Sequence, residues 1–363
     1  MSVNLEILHC QNGKFGHAQL QSEATLNALS LEMIDALYEG LIQWQNDAEI
    51  KFVFLDAAGE KAFCAGGDIV RLYKAIKDKD PYFKSFFEHE YKLDYLIHTF
   101  KKPIIAWGHG IVMGGGMGIL QGCTFRIATE KTMMAMPEIS IGLFPDVGAS
   151  YFLQKCPRHA GVFLALSGTR INGIEARELH LADHCIEHAK KSEILNSLKN
   201  IQANTATNIK SEIQNILNTF ESDSKNISVK SQLEWNWIES ITQHKSAVDL
   251  YNFCNTQTEL SPWAEKGRQN ILRASPTSVA IIYEQFQRAQ GKKLSEIFQM
   301  EWLVAVHCAM GHDFPEGVRA LLIDKDNKPQ WNPKFATDID PRKITSHFEL
   351  GIELKTNPLA NLN

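Results

Sequence analysis

Long apolar runs are missing from this sequence. No stretch approaches the roughly 18 residues that would read as a membrane-spanning helix, so no membrane partner is expected. The opening residues, MSVNLEILHC, lack the basic start and apolar core of a secretory signal. The core pattern begins almost at Met1, so no transit peptide is expected and the expected location is cytoplasmic. Positive charge is not in excess either. Lys and Arg number 37 against 42 Asp and Glu, a net charge of −5, and no basic run carries interleaved aromatics, so nucleic acid is not an expected partner. The seven cysteines, at 10, 64, 123, 156, 185, 254 and 308, form no CxxC pair. That argues against a zinc knuckle or a disulfide framework and for reduced thiols. HExxH and clustered His/Asp sets are also missing, so no metal site is expected. What is present is 363 residues, 44% hydrophobic and 22% charged, ordinary for a soluble globular enzyme of two or three structural units.

One stretch organises the rest: KPIIAWGHGIVMGGGMGILQGCTFRIATEKTMMAMPEISIGLFPDVGASY, from Lys102 to Tyr151. Ile104 to Trp107 reads as a buried strand, followed by glycines at 114, 115, 116 and 118 just before a helix-compatible segment. Glycines before a helix allow close backbone approach, and the free N–H groups of a helix start attract developing negative charge. Beyond a second apolar run at Phe125 to Ala128 stand Glu138 and Asp146, among Met, Pro, Ile, Leu and Phe. Carboxylates in such company are expected to be partly desolvated, which suits acid–base work.

Around this stretch, strands and helices alternate. Residues 1–20 read as two strands about a turn at Asn12–Gly13. Leu31, Ile34, Leu37, Leu41 and Trp44 recur at helical spacing behind a Ser30 N-cap, and Lys51 to Asp56 reads as a buried strand. KAFCAGGDI, from Lys61 to Ile69, is a second strand–glycine–helix junction, with Asp68 placed to cap. The aromatic stripe Tyr82, Phe83, Phe86, Phe87, Tyr91 and Tyr95 reads as core, which leaves Glu90 a surface charge unless it points into a cleft. The fold class expected is α/β, with repeated strand–strand–helix turns. From about residue 186 the chain becomes rich in Lys, Ser, Asn and Gln but keeps helical spacing at Ile194, Leu198, Ile209, Ile213 and Leu217, with Glu221 to Ser224 reading as a loop tip. Ser275–Pro276 opens another helix, and a tail follows Asp326. The organisation expected is a core over 1–185, a polar helical section over 186–270 and a C-terminal helical region with its tail over 271–363.

The glycine loops do not fit nucleotide binding. GHGIVMGGGMG departs from GxGxxG, no GK[ST] follows, and no acidic residue stands about 20 residues on to take a ribose hydroxyl. The N–H groups of Gly67 and Gly115, each at a strand–helix junction, would instead suit one carbonyl oxygen. Such a pair stabilises an enolate or tetrahedral oxyanion, at about 3–4 kcal/mol per donor in a dry site.

KAFCAGGDI, HGIVMGGGMG and MPEISIGLFPDVG together resemble the crotonase (enoyl-CoA hydratase/isomerase) superfamily. FFEHEY, ATEKTMMAMPE, GLFPDVGASYFL, SPTS and MGHDFPEGVRALLIDKDNKPQW resemble its 3-hydroxyisobutyryl-CoA hydrolase subgroup, and the likeness spans nearly the whole chain. The resemblance implies a spiral of strand–strand–helix turns that binds acyl-CoA, closed by C-terminal helices. It implies an oxyanion hole from the Gly67 and Gly115 N–H groups, Glu138 as catalytic glutamate, Asp146 as its accompanying aspartate and Glu90 as a further substrate-site glutamate. Hydratases carry a second catalytic Glu where this chain has Gly118, so hydration is not expected. The activity implied is hydrolysis of a short 3-hydroxyacyl-CoA in valine breakdown, with no cofactor apart from the CoA of the substrate.

Within that expectation Glu138 either activates a water or attacks the thioester itself to give a mixed anhydride; both stay open on the residues. Asp146 binds the 3-hydroxyl or assists protonation of the thiolate, and Glu90 orients hydroxyl or water. Lys61, Arg71 and Lys74 are candidates for the CoA phosphates, with solvated helix charges as the alternative. Cys64 reads as a small packing residue and His109 as a support for the glycine loop. The rival readings are another crotonase-type reaction, isomerisation above all, and acyl-CoA binding without catalysis. Relatives often trimerise through C-terminal helices, and the polar helical section and long tail here are candidates to cover that surface, so self-association stays open on the sequence.

Overall fold

A computed structural model of the chain describes residues 2–202, 206–223, 229–351 and 354–362. Its strands are β1 (Val3–Cys10), β2 (Gly13–Leu20), β3 (Ile50–Ala57), β4 (Ala62–Cys64), β5 (Ile104–Gly108), β6 (Ile111–Met113), β7 (Phe125–Ala128), β8 (Met133–Ala135), β9 (Ile171–Asn172) and β10 (His184–Cys185). Contacts gather the chain into two units. One comprises Met1–Gly67, Leu93–Met134 and Ile171–Ser231; the other comprises Asp68–Lys92, Ala135–Arg170 and Gln232–Asn363.

In the first unit a six-stranded sheet runs in the order β1-β2-β3-β5-β7-β10, and a four-stranded sheet in the order β4-β6-β8-β9. β1 and β2 form the antiparallel hairpin, with Cys10 opposite Gly13, so its loop is Gln11–Asn12, one residue before the expected position. From β2 onward the larger sheet is parallel. Parallel strands are covered on both faces, which is why β3 and β5 are apolar without alternation and wholly buried or nearly so. The polar helical section supplies one cover. Its helices Lys191–Leu198 and Ala206–Asp223 bring Ile194, Leu198, Ile209, Ile213 and Leu217 into one core with Phe15, Phe52, Phe54, Ile105 and Trp107. Phe15 and Phe52 stack there with ring centroids 4.6 Å apart. The second helix continues through Glu221 to Asp223, where a loop tip was expected; Ser224 lies outside the described residues. Glu221 explains the extension. Its carboxylate pairs with His184 Nδ1 at 2.9 Å and accepts the Cys185 N–H at 3.0 Å, tying the helix end to β10.

The second unit is helical. Ala160–Ser167, apolar on every side, is packed by Trp235–Thr242, Pro262–Arg273 and Pro276–Arg288. Ser275 caps the last of these by accepting the Ser278 N–H at 3.1 Å, as the Ser-Pro signal implies. The short helix Asp313–Val318 packs on the turn Glu138–Ile141 so closely that a Cβ on Gly317 would stand 2.3 Å from the Ile141 carbonyl oxygen. The tail packs as an arm, with Trp331 Nε1 donating to the Arg273 carbonyl at 2.8 Å. No described helix is long and apolar enough to cross a membrane.

Candidate active site

The two glycine loops lie against each other in the first unit. β4 ends at Cys64, and Gly66 follows with φ +107°, a conformation that favours glycine. A Cβ at Gly66 would stand 3.4 Å from the Met113 carbonyl oxygen and 3.8 Å from the Gly115 nitrogen. Gly115 opens the helix Gly115–Gly122, behind Gly114 at φ +49°, which offers no side-chain cap. The first N–H groups of a helix have no partner within it, so this backbone presents donors before the ladder begins. Gly116 fixes the approach: a Cβ there would meet the Cys64 carbonyl oxygen at 2.4 Å and the Cys64 Cβ at 2.8 Å. Gly116→Ala must part the loops, with an expected loss of about 1–3 kcal/mol of stability read by urea denaturation. A stability unchanged within error would show that the loops are not so tightly opposed.

The carboxylates gather in the second unit. Glu138 stands at the start of a single 3₁₀ turn, Glu138–Ile141, and its carbonyl accepts the Leu143 N–H at 3.1 Å. Asp146 follows in a tight turn whose two central residues, Val147 (φ +53°) and Gly148 (φ +84°), are both left-handed, closed by Ala149 N–H to the Asp146 carbonyl at 2.8 Å. A β-branched residue in that region is strained, at a cost of about 1–3 kcal/mol, and persists only where its surroundings over-determine it. Glu90, from the helix Tyr82–His98, is 3% exposed, against 6% for Glu138 and 5% for Asp146. Glu90 is therefore no surface charge, and the aromatic stripe buries it along with itself.

Burial and mutual repulsion govern these groups. Burial, then the Asp146 charge and then that of Glu90, pushes the Glu138 carboxyl well above its ordinary range. Burial and the Asp146 charge do the same to Glu90. Asp146 is raised less, to about 6, because a hydrogen bond from Tyr91 opposes its burial. The Tyr91 hydroxyl donates to Asp146 Oδ2 at 2.6 Å. Asp146 thus ionises before the other two. A site holding one ionised and one protonated carboxyl supplies a base and an acid at the same pH. Glu138 Oε2 is buried and finds no hydrogen-bond partner among the described residues. A buried carboxylate oxygen left unpaired is costly for folding and is kept where chemistry uses it.

Two members of this group escape sequence reasoning. Tyr91 sits inside the aromatic stripe, where its ring packs on Phe87 and Phe298 at 5.9 Å each, and nothing in the spacing separates it from core. Glu301, on the helix Leu294–Met310, is fully buried. Its carboxylate accepts the Gly148 N–H at 2.7 Å, the Ser150 N–H at 3.0 Å and the Ser150 hydroxyl. Burial pushes it up to about 7 against those hydrogen bonds, with the Asp146 charge adding to the rise. An acid flanked by Met300 and Trp302, in the apolar part of its helix, is the signal that could have found it.

Cys64 is buried, its sulfur accepting the Gly66 N–H at 3.4 Å, which makes it part of the loop's packing. His109 is fully buried, with Nε2 bonded to the Gly59 carbonyl at 2.8 Å, which ties it to the loop after β3 and not to the glycine loop it was expected to support. Lys61 lines a cavity of about 320 Å³ with Glu23, Asn27 and Glu60, and Arg71 lies over the Tyr82 ring at 4.8 Å.

The model of the enoyl-CoA hydratase/isomerase family matches residues 15–348. The chain is 37% identical over 344 residues to a Danio rerio protein named 3-hydroxyisobutyryl-CoA hydrolase, mitochondrial, covering 94% of this chain and 89% of the relative. It is 37% identical to the Homo sapiens protein of that name, over 95% of this chain and 88% of the relative. Among solved structures, one described as a carnitinyl-CoA dehydratase from Mycobacterium thermoresistibile aligns with a TM-score of 0.84 at 27% identity, covering 98% of each chain. An enoyl-CoA hydratase from Rhodobacter sphaeroides aligns with a TM-score of 0.79 at 27% identity, over 95% of this chain and 96% of the other.

Proposed function

The chain belongs to the enoyl-CoA hydratase/isomerase family, and on that footing we propose that it hydrolyses a short 3-hydroxyacyl-CoA thioester, 3-hydroxyisobutyryl-CoA, to the free hydroxy acid and CoA. Near-full-length likeness to proteins named as this hydrolase carries the reading, and the chemistry of the carboxylates agrees with it. The Gly67 and Gly115 N–H groups are assigned to the thioester oxygen, where developing negative charge is worth most to stabilise. Glu138, in its ionised form, delivers oxygen to the carbonyl carbon, by its own attack or through a water that it deprotonates. Through general-base attack, water's oxygen enters the acid directly. After direct attack, the Glu138 oxygen enters the acid and water restores the glutamate. In both routes one water is consumed and one of its protons ends on the CoA thiol. Asp146, the first of the three carboxyls to ionise, takes and returns that proton or holds the 3-hydroxyl. Glu90, protonated beside it, is a donor to substrate or water. No group beyond the substrate's own CoA is required, and the reaction fits a step of valine breakdown.

Gly118 supports hydrolysis over hydration. It lies within the helix Gly115–Gly122 and carries no carboxylate, so the second glutamate with which hydratases manage water across a double bond has no counterpart there. The test is thiol release from 3-hydroxyisobutyryl-CoA, followed with a thiol-reactive dye beside crotonyl-CoA hydration. Rapid release with hydration at least about a hundredfold slower is the expected result. A shifted or hydrated double bond without free thiol would overturn the proposal.

A further inference from the structure

The segment carrying Asp146 is held on both sides by two side chains from later helices. On the C-terminal side, Glu301 accepts hydrogen bonds from the Gly148 N–H at 2.7 Å, the Ser150 N–H at 3.0 Å and the Ser150 hydroxyl. On the N-terminal side, the Gln285 amide donates to the Pro145 carbonyl at 2.7 Å and to Ser150 Oγ at 2.7 Å. Between these anchors lies the turn that places Val147 at φ +53°. Glu301 and Gln285 are both fully buried, so these bonds are made out of water, where each is worth most and each loss costs most.

A simpler device would fix a loop without a charge. Backbone N–H groups can be satisfied by a carbonyl or an amide, and a carboxylate brought into a dry site is costly unless its charge is used. This one lies in the field of Asp146. The Asp146 charge raises the proton affinity of Glu301, and Tyr91, the phenol bonded to Asp146, lies in the field of both. The charged and titratable groups facing the pair are Glu90 and Tyr91 from the helix Tyr82–His98 and Glu138 from its own turn; Ser150 and Gln285 are neutral.

We propose that Glu301 is a positioning residue for the hydrolysis: its carboxylate clamps the strained Val147–Gly148 turn so that Asp146 is aimed at the substrate. The proposal rests on the functional reading above and adds to it a residue from the C-terminal helical region.

The experiment compares Glu301→Gln and Ser150→Ala with the parent chain for thioester hydrolysis across pH. A glutamine keeps an acceptor for the Gly148 N–H but turns an amide NH2 toward Ser150, whose N–H and hydroxyl lose theirs, so the clamp is released on one side. In Glu301→Gln, kcat is expected to fall about ten- to hundredfold with KM within about twofold, since a misaimed group harms the reacting state more than binding. The acid limb of kcat stays in place, because Glu301, raised to about 7, is still protonated where Asp146 ionises near 6. Ser150→Ala, which leaves both backbone donors in place, falls by a smaller factor with the melting temperature held. A kcat within twofold of the parent in both variants overturns the proposal, as does a fall in kcat matched by a rise in KM or by a lowered melting temperature, which marks a merely structural role. Should Glu301→Gln not fold, Ser150→Ala decides: lowered kcat at unchanged KM supports the clamp, and unchanged kcat removes it. Hydrogen–deuterium exchange of the Gly148 and Ser150 amides in parent and Glu301→Gln needs no turnover, and faster exchange in the variant is expected. A parent without thioesterase activity would therefore strike the functional reading while the exchange rates still judge the clamp.

Discussion

Glu138→Gln is expected to lower thioester hydrolysis about a thousandfold, some 4 kcal/mol of transition-state stabilisation, while leaving acyl-CoA affinity nearly unchanged. The size follows from what the side chain has given up. Glu138 Oε2 is buried and unpaired among the described residues, and its carboxyl is pushed upward by burial and by the charges of Asp146 and Glu90. A group held in that state gains stability when it is neutralised, so the variant should fold at least as well as the parent. Lost activity then cannot be put down to lost structure, and a melting curve beside the kinetics checks this. Glutamine is close in shape but neither attacks a thioester nor accepts a proton from water at neutral pH. A variant retaining more than a tenth of parental kcat would remove Glu138 from the chemistry. Single turnover of the parent in ¹⁸O water separates the two routes, since direct attack places an unlabelled oxygen from Glu138 in the product and labels the enzyme instead.

The elements that build the first unit were legible because periodicity reports burial directly. Apolar Phe52 to Leu55 and Ile104 to Trp107 could only be covered strands, and Ser30, Asp68 and Ser275 announce their helices as caps that the structure then uses. The polar section was legible as helices from Ile194 to Leu217, although pattern alone does not say that their apolar faces cover the parallel sheet. Glu221 to Asp223 misled because local composition favours a turn, whereas a distant partner, His184, sustains the helix. For the site, Glu138 and Asp146 stood out by their apolar neighbours. Tyr91 and Glu301 did not, for a physical reason: their roles arise from partners 55 and about 150 residues away in the chain, and spacing carries no information about such pairings.

Asp146→Asn is expected to reduce hydrolysis about a hundredfold while raising stability at alkaline pH. Asn keeps an acceptor for the Tyr91 hydroxyl and so leaves the turn's geometry supported, but it neither takes nor returns a proton. The stability sign follows from linkage. Asp146 titrates near 6 in the folded chain, above its ordinary value of 3.8, because burial disfavours the anion. A folded-state value above the unfolded one means that this group's favourable contribution is fully present below about 4 and is lost as pH rises through about 6. Above that, the buried anion costs the fold at most about 3 kcal/mol, and the asparagine variant is spared it. The difference in unfolding free energy between variant and parent should therefore be largest at pH 8 and shrink toward zero near pH 4, measured by urea denaturation at both. Removal of the Asp146 charge also relieves Glu138 and Glu90, so whatever activity remains should keep its acid limb at lower pH than the parent's. Equal stability of the two chains at pH 8, or an acid limb moved upward, would mean that the Asp146 charge does not govern the site. The expected gain at pH 8 would instead leave the parent no energetic reason to bear a buried anion on a strained turn other than the proton it handles in catalysis.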